Sequence, residues 1–414
     1  MLRKICFFLI AALLGTCLML SMGSADVAWA DEFQDVDSDL IEWFEDGDEY
    51  GFIIYPSGDM SGKKDAHWID FALGHSKQVG GPNFVVELAA GHYYISKCIE
   101  AYGFSGTLKG AGKEETVIEV IKGDYVRETP SGPRARLFFV YDQESSVERT
   151  IGLEGMTITV TASQPADVYE NPFVGPTTAL NNICFIMWGN VNTHFEDLKV
   201  SGGPGDGNGY NIIYPLGVES GTGKNHSFIN CDVENVAIMA MEYWDLPVSP
   251  TIKVEGATFT NCRRGLALVN LGPNPQAEIL NCEFTGCLEP ALFIRAAPNT
   301  EVIGNKFVDF ASAGNWFHTP IFFRNDNHDC LISGNTFTNI SENTPAVILV
   351  SRRDNNSENI IQCNTYSGVL PDCLVKIEEA SAGNIGNKIY ENIERLQICD
   401  DGINTEIDTE YPCP

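Results

Sequence analysis

The 414-residue sequence has few basic residues. Its 26 Lys and Arg stand against 56 Asp and Glu, which gives a formal charge of −30 at pH 7. Nucleic-acid binding depends on Lys and Arg side chains that neutralise phosphates, and anionic membrane surfaces attract the same side chains. The composition therefore argues against both partners. With 44% hydrophobic residues, the chain is also too apolar to be disordered.

Other absences narrow the class of protein further. Glycine shows no three-residue period, which excludes a collagen. No Cys-x-x-Cys pair or Cys/His cluster has the spacing of a structural zinc site. After residue 20, no apolar run is long enough to cross a bilayer. We therefore expect no transmembrane segment in the mature chain.

The first thirty residues have the pattern of a secretory signal peptide. Arg3 and Lys4 precede an apolar stretch over residues 5–20, and the segment Ala28-Trp29-Ala30 has a small residue at each end. We predict cleavage after residue 30 and export to the periplasm, the cell surface or the extracellular medium. An uncleaved membrane anchor is the alternative, although the apolar stretch is short for a span.

An internal repeat is the strongest signal in the sequence. From about residue 147 to 390, a Gly or Asn and one or two polar residues precede an apolar anchor, and the later anchors are 23 to 30 residues apart. The repeats lack the 3.6-residue periodicity of helices, and short β-rich runs between Gly, Asn and Pro predict strands. This pattern predicts a parallel β-helix whose coils stack about 4.8 Å apart.

Residues at equal offsets in successive repeats should then stack into ladders. The predicted inward ladder is Val233, Phe259, Phe284, Phe307, Phe337 and Tyr366, and the predicted polar ladder is Asn305, Asn335, Asn364 and Asn387. Cys262 and Cys287 also share an offset on adjacent coils, which predicts either a disulfide or two stacked thiols. Eleven cysteines follow residue 30, so at least one thiol is free or pairs between chains.

Strand-like segments also precede the repeats. Residues 84–91 read FVVELAAG, residues 93–96 read YYIS and residues 104–112 read FSGTLKGAG. This series resembles the entry into the pectin-lyase-like, right-handed parallel β-helix superfamily, with Ala89 in place of the usual Pro and His92 in place of the usual Thr. The resemblance implies an all-β solenoid with an N-terminal capping helix, which we place at residues 65–79.

This interpretation divides the chain into four segments. Residues 1–30 are the signal peptide, residues 31–83 an N-terminal segment with the capping helix, residues 84–398 the β-helix, and residues 399–414 a C-terminal tail. Long insertions interrupt the early coils at residues 123–144, 161–181 and 201–225, where loops of that length often carry function.

Polar residues cluster where the apolar runs after the anchors end. Aligning the coils places Arg324 and Asp326 beside Arg353 and Asp354, and we predict these four as catalytic residues. On earlier coils Glu242, Tyr243, Trp244 and Arg295 offer carboxylate, aromatic and cationic groups, and we predict them to bind substrate. The alternative is a set of exposed salt bridges at strand ends.

The superfamily implied by the resemblance contains extracellular polysaccharide lyases, glycoside hydrolases, epimerases, phage tailspikes and surface proteins. The sequence lacks the paired-Asp phrase of polygalacturonases, the RxPxxR and vWiDH phrases of pectate lyases and the DPHD phrase of alginate epimerases. We predict an exported protein that binds, and as an enzyme cleaves, a polysaccharide or cell-surface glycan by lyase or hydrolase chemistry.

The alternative class is a non-catalytic surface or adhesion protein, or a structural solenoid. The sequence predicts no specific metal site. Ca²⁺ is the one cofactor that we consider, because it could bridge an acidic protein to an acidic glycan.

Overall fold

The structure is a computed structural model. It describes residues 38–79, 81–101, 103–124, 126–127, 134–141, 147–161, 169–171, 175–177, 183–202, 214–237, 239–310, 318–351, 356–378, 384–391, 397–409 and 413. The predicted signal peptide lies outside these residues. The chain divides into two compact units, residues 1–42 and residues 43–414. Among the described residues, no helix is long and apolar enough to cross a bilayer.

The described residues form one 3₁₀-helix at Ser38–Leu40, one α-helix, α1, at Lys63–Val79, and many short strands. The strands are β1 (Ile41–Asp46), β2 (Glu49–Ile54), β3 (Phe84–Leu88), β4 (Gly91–Lys97), β5 (Ile99–Glu100), β6 (Gly106–Gly110), β7 (Thr116–Asp124), β8 (Val126–Arg127), β9 (Arg134–Tyr141), β10 (Arg149–Val160), β11 (Tyr169–Asn171), β12 (Gly175–Thr177), β13 (Ile183–Gly189), β14 (Val191–Gly202), β15 (Tyr214–Gly221), β16 (Asn225–Ile229), β17 (Asp232–Glu234), β18 (Met239–Trp244), β19 (Thr251–Glu255), β20 (Thr258–Thr260), β21 (Arg264–Val269), β22 (Gln276–Leu280), β23 (Glu283–Thr285), β24 (Leu292–Arg295), β25 (Thr300–Ile303), β26 (Lys306–Val308), β27 (Ile321–Arg324), β28 (Leu331–Ser333), β29 (Thr336–Thr338), β30 (Ile348–Val350), β31 (Ile360–Gln362), β32 (Thr365–Ser367), β33 (Val375–Ile377), β34 (Lys388–Tyr390), β35 (Ile398–Asp400) and β36 (Glu406–Asp408).

The strands stack as a parallel β-helix, as the repeat predicts. A coil contains three strands, such as β22, β23 and β24, and each pairs in parallel with its counterparts on the preceding and following coils. The first two strands of each coil belong to one continuous sheet, which we call sheet A. The third belongs to a second sheet, sheet B, which runs from β5 to β35.

The predicted anchor ladder fills the interior of the coils. Phe259, Phe284, Phe307, Phe337 and Tyr366 occupy matching positions on successive strands. Their ring centroids are 4.8, 4.9, 4.9 and 5.4 Å apart, with planes inclined by 12° or less. Val233 continues the ladder below Phe259. Burial of these aromatic side chains supplies a large part of the hydrophobic stabilisation.

The predicted polar ladder is correct for three of its four members. The side-chain Oδ1 of Asn335 accepts the backbone N–H of Asn305 at 2.9 Å, and Oδ1 of Asn364 accepts the N–H of Asn335 at 3.0 Å. The fourth position belongs to Glu391, whereas Asn387 stacks on Asn359 in a separate ladder. The prediction is wrong at this position because both corners of the coil use the same local pattern, an Asn before a short strand.

Helix α1 covers the predicted helical segment, begins two residues before it, and contacts β2 to β5. Trp68, Ile69, Ala72 and Leu73 are buried along one side of the helix. Asp65 is fully buried near the start of the helix, where its carboxylate accepts the backbone N–H groups of Ser57 at 2.9 Å and Tyr94 at 2.8 Å. These bonds fix the helix to the first coils.

The strand ladders extend past both predicted ends of the β-helix. Strand β2 pairs with β3 before residue 84, and β36 pairs with β34 after residue 398. Neither outer strand carries the repeated phrase, so the sequence pattern did not include them. The stacking of strands therefore continues where the recognisable repeat ends.

Two disulfides join the C-terminal coils, Cys363–Cys413 and Cys373–Cys399. Cys262 and Cys287 are free, buried thiols, so the stacked-thiol alternative holds for this pair. Burial raises the pKa of Cys287 to about 12 and that of Cys262 well above its usual value. Both side chains are therefore inert core residues.

Candidate functional site

Polar side chains gather on the outward face of sheet B. Alternate residues of a strand point to opposite faces. In β24, Leu292 and Ile294 are buried inside the coil, whereas Phe293 and Arg295 are only partly buried. The pairing register carries this alternation to the neighbouring strands β21 and β27. Outward residues at matching positions therefore form columns across the strands.

One such column follows the C-terminal ends of the strands, and we call it the edge column. The register places Trp244 opposite Val269, Val269 opposite Arg295, and Arg295 opposite Arg324. Since neighbouring strands lie about 4.8 Å apart, the two guanidinium groups share one edge of the sheet. Trp244 is 45% exposed two strands away from Arg295. The edge column thus combines an exposed aromatic ring with two cations.

The backbone turns sharply after each member of the edge column. Asp245, Asn270, Ala296 and Asn325 follow these residues directly, with φ angles of 56°, 54°, 46° and 56°. Asn and Asp adopt this left-handed conformation more readily than other non-glycine residues. Each edge residue is therefore the last of its strand, with its side chain at the rim of the sheet.

A buried asparagine fixes the two strands that carry the arginines. The side-chain amide of Asn327 donates to the carbonyl oxygens of Arg324 at 3.0 Å and Ile294 at 3.2 Å. Its Oδ1 accepts the backbone N–H of Ala297 at 3.0 Å. Because Asn327 is fully buried, these bonds are shielded from water. They hold the backbone at Arg324 close to the end of the strand that carries Arg295.

Arg295 has an unused hydrogen-bond donor. Its Nε is buried and has no hydrogen-bond partner in the part of the chain that the structure describes. A buried donor without an acceptor costs about 1–3 kcal/mol. Arg guanidinium groups pair with carboxylates bidentately, so the rim is suited to carboxylate or similar groups.

An apolar column lies beside the edge column and forms the floor of the outward face. Ala267, Phe293, Phe322 and Leu349 occupy matching positions on four strands. The rings of Phe293 and Phe322 stack with centroids 5.7 Å apart. Phe293 is partly exposed, whereas the other three are buried. Of this apolar column, only Phe293 therefore reaches solvent beside the two arginines.

The predicted substrate-binding residues separate into two faces. Trp244, Arg295 and Glu242 lie on the outward face, where Glu242 is half-buried opposite Ala267. Tyr243 has the opposite orientation, is fully buried and lies opposite Leu268 inside the coil. This placement corrects the prediction that Tyr243 offers its ring to a substrate. The two aromatic neighbours point in opposite directions because they are adjacent in a strand.

The predicted catalytic set is described only in part. Arg324 lies in the edge column, and Asp326 follows in the turn, exposed and with a φ of 46°. Arg353 and Asp354 lie outside the described residues. The register continues from Phe323 to Val350, and Ser351 donates its backbone N–H to the carbonyl of Phe323 at 3.0 Å. The chain enters the segment of Arg353 and Asp354 directly after this contact.

A charged cluster at the opposite edge of sheet B was not predicted from the sequence. Glu289, only 2% exposed, accepts hydrogen bonds from Nε of Arg263 and Nε of Arg264, both at 2.6 Å. His318 Nε2 lies 3.8 Å from the same carboxylate. Burial lowers the pKa of His318, with Arg263 and Arg264 acting in the same direction and Glu289 opposing it. His318 is therefore neutral at pH 7.

The sequence contains a signal for this cluster. Arg263, Glu289 and His318 each stand three residues before the first inward residue of a sheet B strand, namely Leu266, Leu292 and Ile321. Equal offsets in a coil alignment mean adjacent positions in space. The cluster and the edge column therefore frame the outward face of sheet B at its two ends.

Among the described residues, no group of three or more His, Cys, Asp or Glu side chains is placed to hold a metal ion. Bridging of an acidic glycan by Ca²⁺ stays a prediction.

Comparison with known proteins identifies the architecture. No family model matches the chain, and no curated protein matches it in sequence. Among solved structures, DFA-IIIase from Arthrobacter chlorophenolicus A6 in complex with GF2 is similar at 12% identity, covering 87% of this chain and 99% of that one, with a TM-score of 0.51.

Two further solved structures match at lower TM-scores. A mannuronic acid specific polysaccharide family 6 lyase from human gut microbiota has 10% identity, covers 82% of this chain and 90% of that one, and has a TM-score of 0.43. PfbA, a surface adhesin of Streptococcus pneumoniae, has 14% identity, covers 83% and 89%, and has a TM-score of 0.40. At these identities the likeness to solved structures concerns the fold.

Proposed function

Because the chain has the right-handed parallel β-helix fold of the pectin-lyase-like superfamily, we propose that it is an exported protein that binds and cleaves an extracellular polysaccharide. The proposed site is the outward face of sheet B, between the edge column and the cluster around Glu289. Fold does not dictate function, so the proposal depends on the side chains of this face.

The observation that carries the proposal is the adjacency of Arg295 and Arg324, with the exposed ring of Trp244 two strands away from Arg295 in the same column. Two guanidinium groups on neighbouring strands suit a carboxylate-bearing glycan, because Arg pairs with carboxylates bidentately. The exposed indole ring suits the apolar face of a sugar. With a formal charge of −30, most of the protein repels such a glycan. The edge column would therefore select where it binds.

The reaction class depends on which groups act on the bound glycan. In a lyase, Arg324 and Arg353 would neutralise a uronate carboxylate and so favour removal of the neighbouring proton. In a hydrolase, Asp326 and Asp354 on adjacent coils would serve as the carboxyl pair, which needs a separation of about 5–5.5 Å for retention or 6.5–9.5 Å for inversion. Glu242 would contact the substrate beside Trp244 in either case.

Export and capping belong to the same proposal. The two disulfides support an oxidising compartment, where such bonds form and persist. The buried side of α1, with Trp68 and Leu73, supports a role for this helix in covering the first coil. The proposed mature protein therefore begins after residue 30, with α1 as its N-terminal cap.

A polysaccharide panel tests the proposal. The mature protein is incubated with acidic and neutral polysaccharides, with and without added Ca²⁺, and both absorbance of unsaturated uronates and reducing ends are followed. New absorbance identifies a lyase, and reducing ends without it identify a hydrolase. Binding without either signal favours a non-catalytic surface or adhesion protein. The absence of binding to every member of the panel contradicts the proposal.

A further inference from the structure

One interior asparagine ladder ends in an ionisable residue. Asn305, Asn335 and Asn364 stack along the coils, and Glu391 occupies the next position. The backbone N–H of Asn364 donates to Glu391 Oε2 at 2.9 Å, and its side-chain amide donates to Oε1 at 2.5 Å. The carboxyl group thus replaces the amide oxygen that the ladder uses elsewhere.

A carboxylate completes only half of the ladder pattern. Each asparagine accepts from the previous coil and also donates, as Asn335 does to the carbonyl of Val302 at 2.9 Å and Asn364 to that of Ile332 at 3.3 Å. An ionised carboxyl group accepts only, whereas a protonated one has a donor as well. Because Glu391 is fully buried, solvent water cannot take the place of the missing donor.

Burial also opposes the charge on Glu391. Burial raises its pKa to about 7, against the opposing effect of hydrogen bonds from Asn364 and Tyr366. Tyr366 Oη lies 3.3 Å from Oε1 and is the titratable side chain that bonds to the carboxyl group among the described residues. Other titratable groups on the strands packed against it are Lys388 and Tyr390 on β34, and Glu406 and Asp408 on β36.

We propose that the packing of the last coils depends on the protonation of Glu391. The last coils stay closed when its carboxyl group is protonated and open more readily when it ionises. The protonated carboxyl group still accepts from Asn364 and Tyr366, and it carries no buried charge. The backbone N–H of Glu391 donates to the carbonyl of Asp408 at 3.0 Å, so the protonation of Glu391 also affects the attachment of β36.

The direction of the pH effect follows from proton binding. The closed form keeps its proton up to about pH 7, whereas an opened form releases it near the ordinary pKa of 4.5. Closing therefore binds a proton between these values, and the closure weakens as pH rises through this window. Above pH 7 the protonated carboxyl group no longer stabilises the closed form. The window from 4.5 to about 7 spans about 2.5 pKa units, and one unit corresponds to a tenfold change, so the opening constant rises about three-hundredfold across the window.

Hydrogen exchange on the full-length protein tests the closure. Amide protection is measured in β32 and β34 from pH 4.5 to 8, with correction for the intrinsic pH dependence of exchange. The wild type should lose about tenfold or more in protection, whereas Glu391→Gln, which retains an acceptor and a donor, should show no such loss. Glu406→Gln, an exposed carboxyl on β36, is the matched control and should follow the wild type.

A second variant covers the case in which Glu391→Gln fails to fold. Tyr366→Phe removes a donor that favours the ionised carboxyl group, so the midpoint of the protection loss should move to higher pH. The proposal is overturned if wild-type protection is independent of pH in this window, if Glu391→Gln keeps the wild-type profile, or if Tyr366→Phe leaves the midpoint unchanged.

Discussion

Arg295 and Arg324 lie directly opposite each other on adjacent strands of sheet B, both at the C-terminal end of their strands and on the outward face. Two like charges directly opposite each other on neighbouring strands repel each other, and a bound anion reduces that repulsion. Because the protein has a formal charge of −30, this pair is a local positive charge on an otherwise acidic protein. We therefore treat it as the centre of the candidate site.

Replacing Arg324 by Ala should weaken glycan binding without weakening the fold. We expect affinity to fall about tenfold to a hundredfold, because a charge-assisted hydrogen bond contributes roughly 1.5–3 kcal/mol. The free energy of unfolding should change by no more than about 1 kcal/mol, as is typical of ion pairs at a surface. Calorimetric titration and urea unfolding measure the two quantities.

Lys253→Ala provides the control for that variant. Lys253 is a partly exposed cation on sheet A that pairs with Glu255 at 2.6 Å. Its removal changes net charge equally but should leave affinity unchanged. Equal losses in both variants would mean that net charge, and not the edge column, governs binding.

Trp244 and Tyr243 should respond in opposite ways to truncation. Trp244→Ala should reduce glycan binding and leave stability almost unchanged, because the ring is 45% exposed. Tyr243→Ala should destabilise the protein by about 3–5 kcal/mol, since it empties a fully buried aromatic position. Thermal unfolding and binding assays on both variants check this contrast. A stable Tyr243→Ala protein that loses binding would contradict the assigned orientations.

Glu289→Gln should be strongly destabilising. In the wild type, Arg263 and Arg264 both bond to the Glu289 carboxylate at 2.6 Å. The variant leaves both arginines without this counter-charge. Removing one partner of a buried ion pair costs about 3–5 kcal/mol. Urea unfolding measures the loss, and Glu283→Gln, a partly exposed carboxyl of sheet A, should have little effect. A neutral Glu289→Gln variant would show that the cluster carries no net stabilisation.

Loss of the disulfide Cys373–Cys399 should destabilise the C-terminal coils. The bond closes a loop of 26 residues, for which chain entropy predicts a contribution of about 3–4 kcal/mol. Cys399→Ala should lower the free energy of unfolding by this amount, and a reducing agent should lower that of the wild type. Cys282→Ala serves as a comparison, since Cys282 is a free buried thiol. Insensitivity of the wild type to reductant would contradict the prediction.

Sequence reasoning predicted the parallel β-helix and the aromatic ladder because stacked coils repeat the same residue type at the same offset. Phe259 and Phe284 show this directly. It failed where local patterns are ambiguous. Asn387 precedes a strand just as Asn364 does, yet the two belong to different corners of the coil. It missed the cluster around Glu289 because Arg263, Glu289 and His318 come from three separate coils and share only an offset.

We propose that the outward face of sheet B binds a glycan through the carboxylates of the glycan. The most direct measurement compares the affinity of the mature protein for a uronate-rich polysaccharide and for the same polysaccharide with its carboxyl groups reduced to alcohols. We expect binding to the acidic form, at least about tenfold weaker binding to the reduced form, and loss of the difference in the Arg295→Ala, Arg324→Ala double variant. Equal affinity of the wild type for both forms would contradict the proposal.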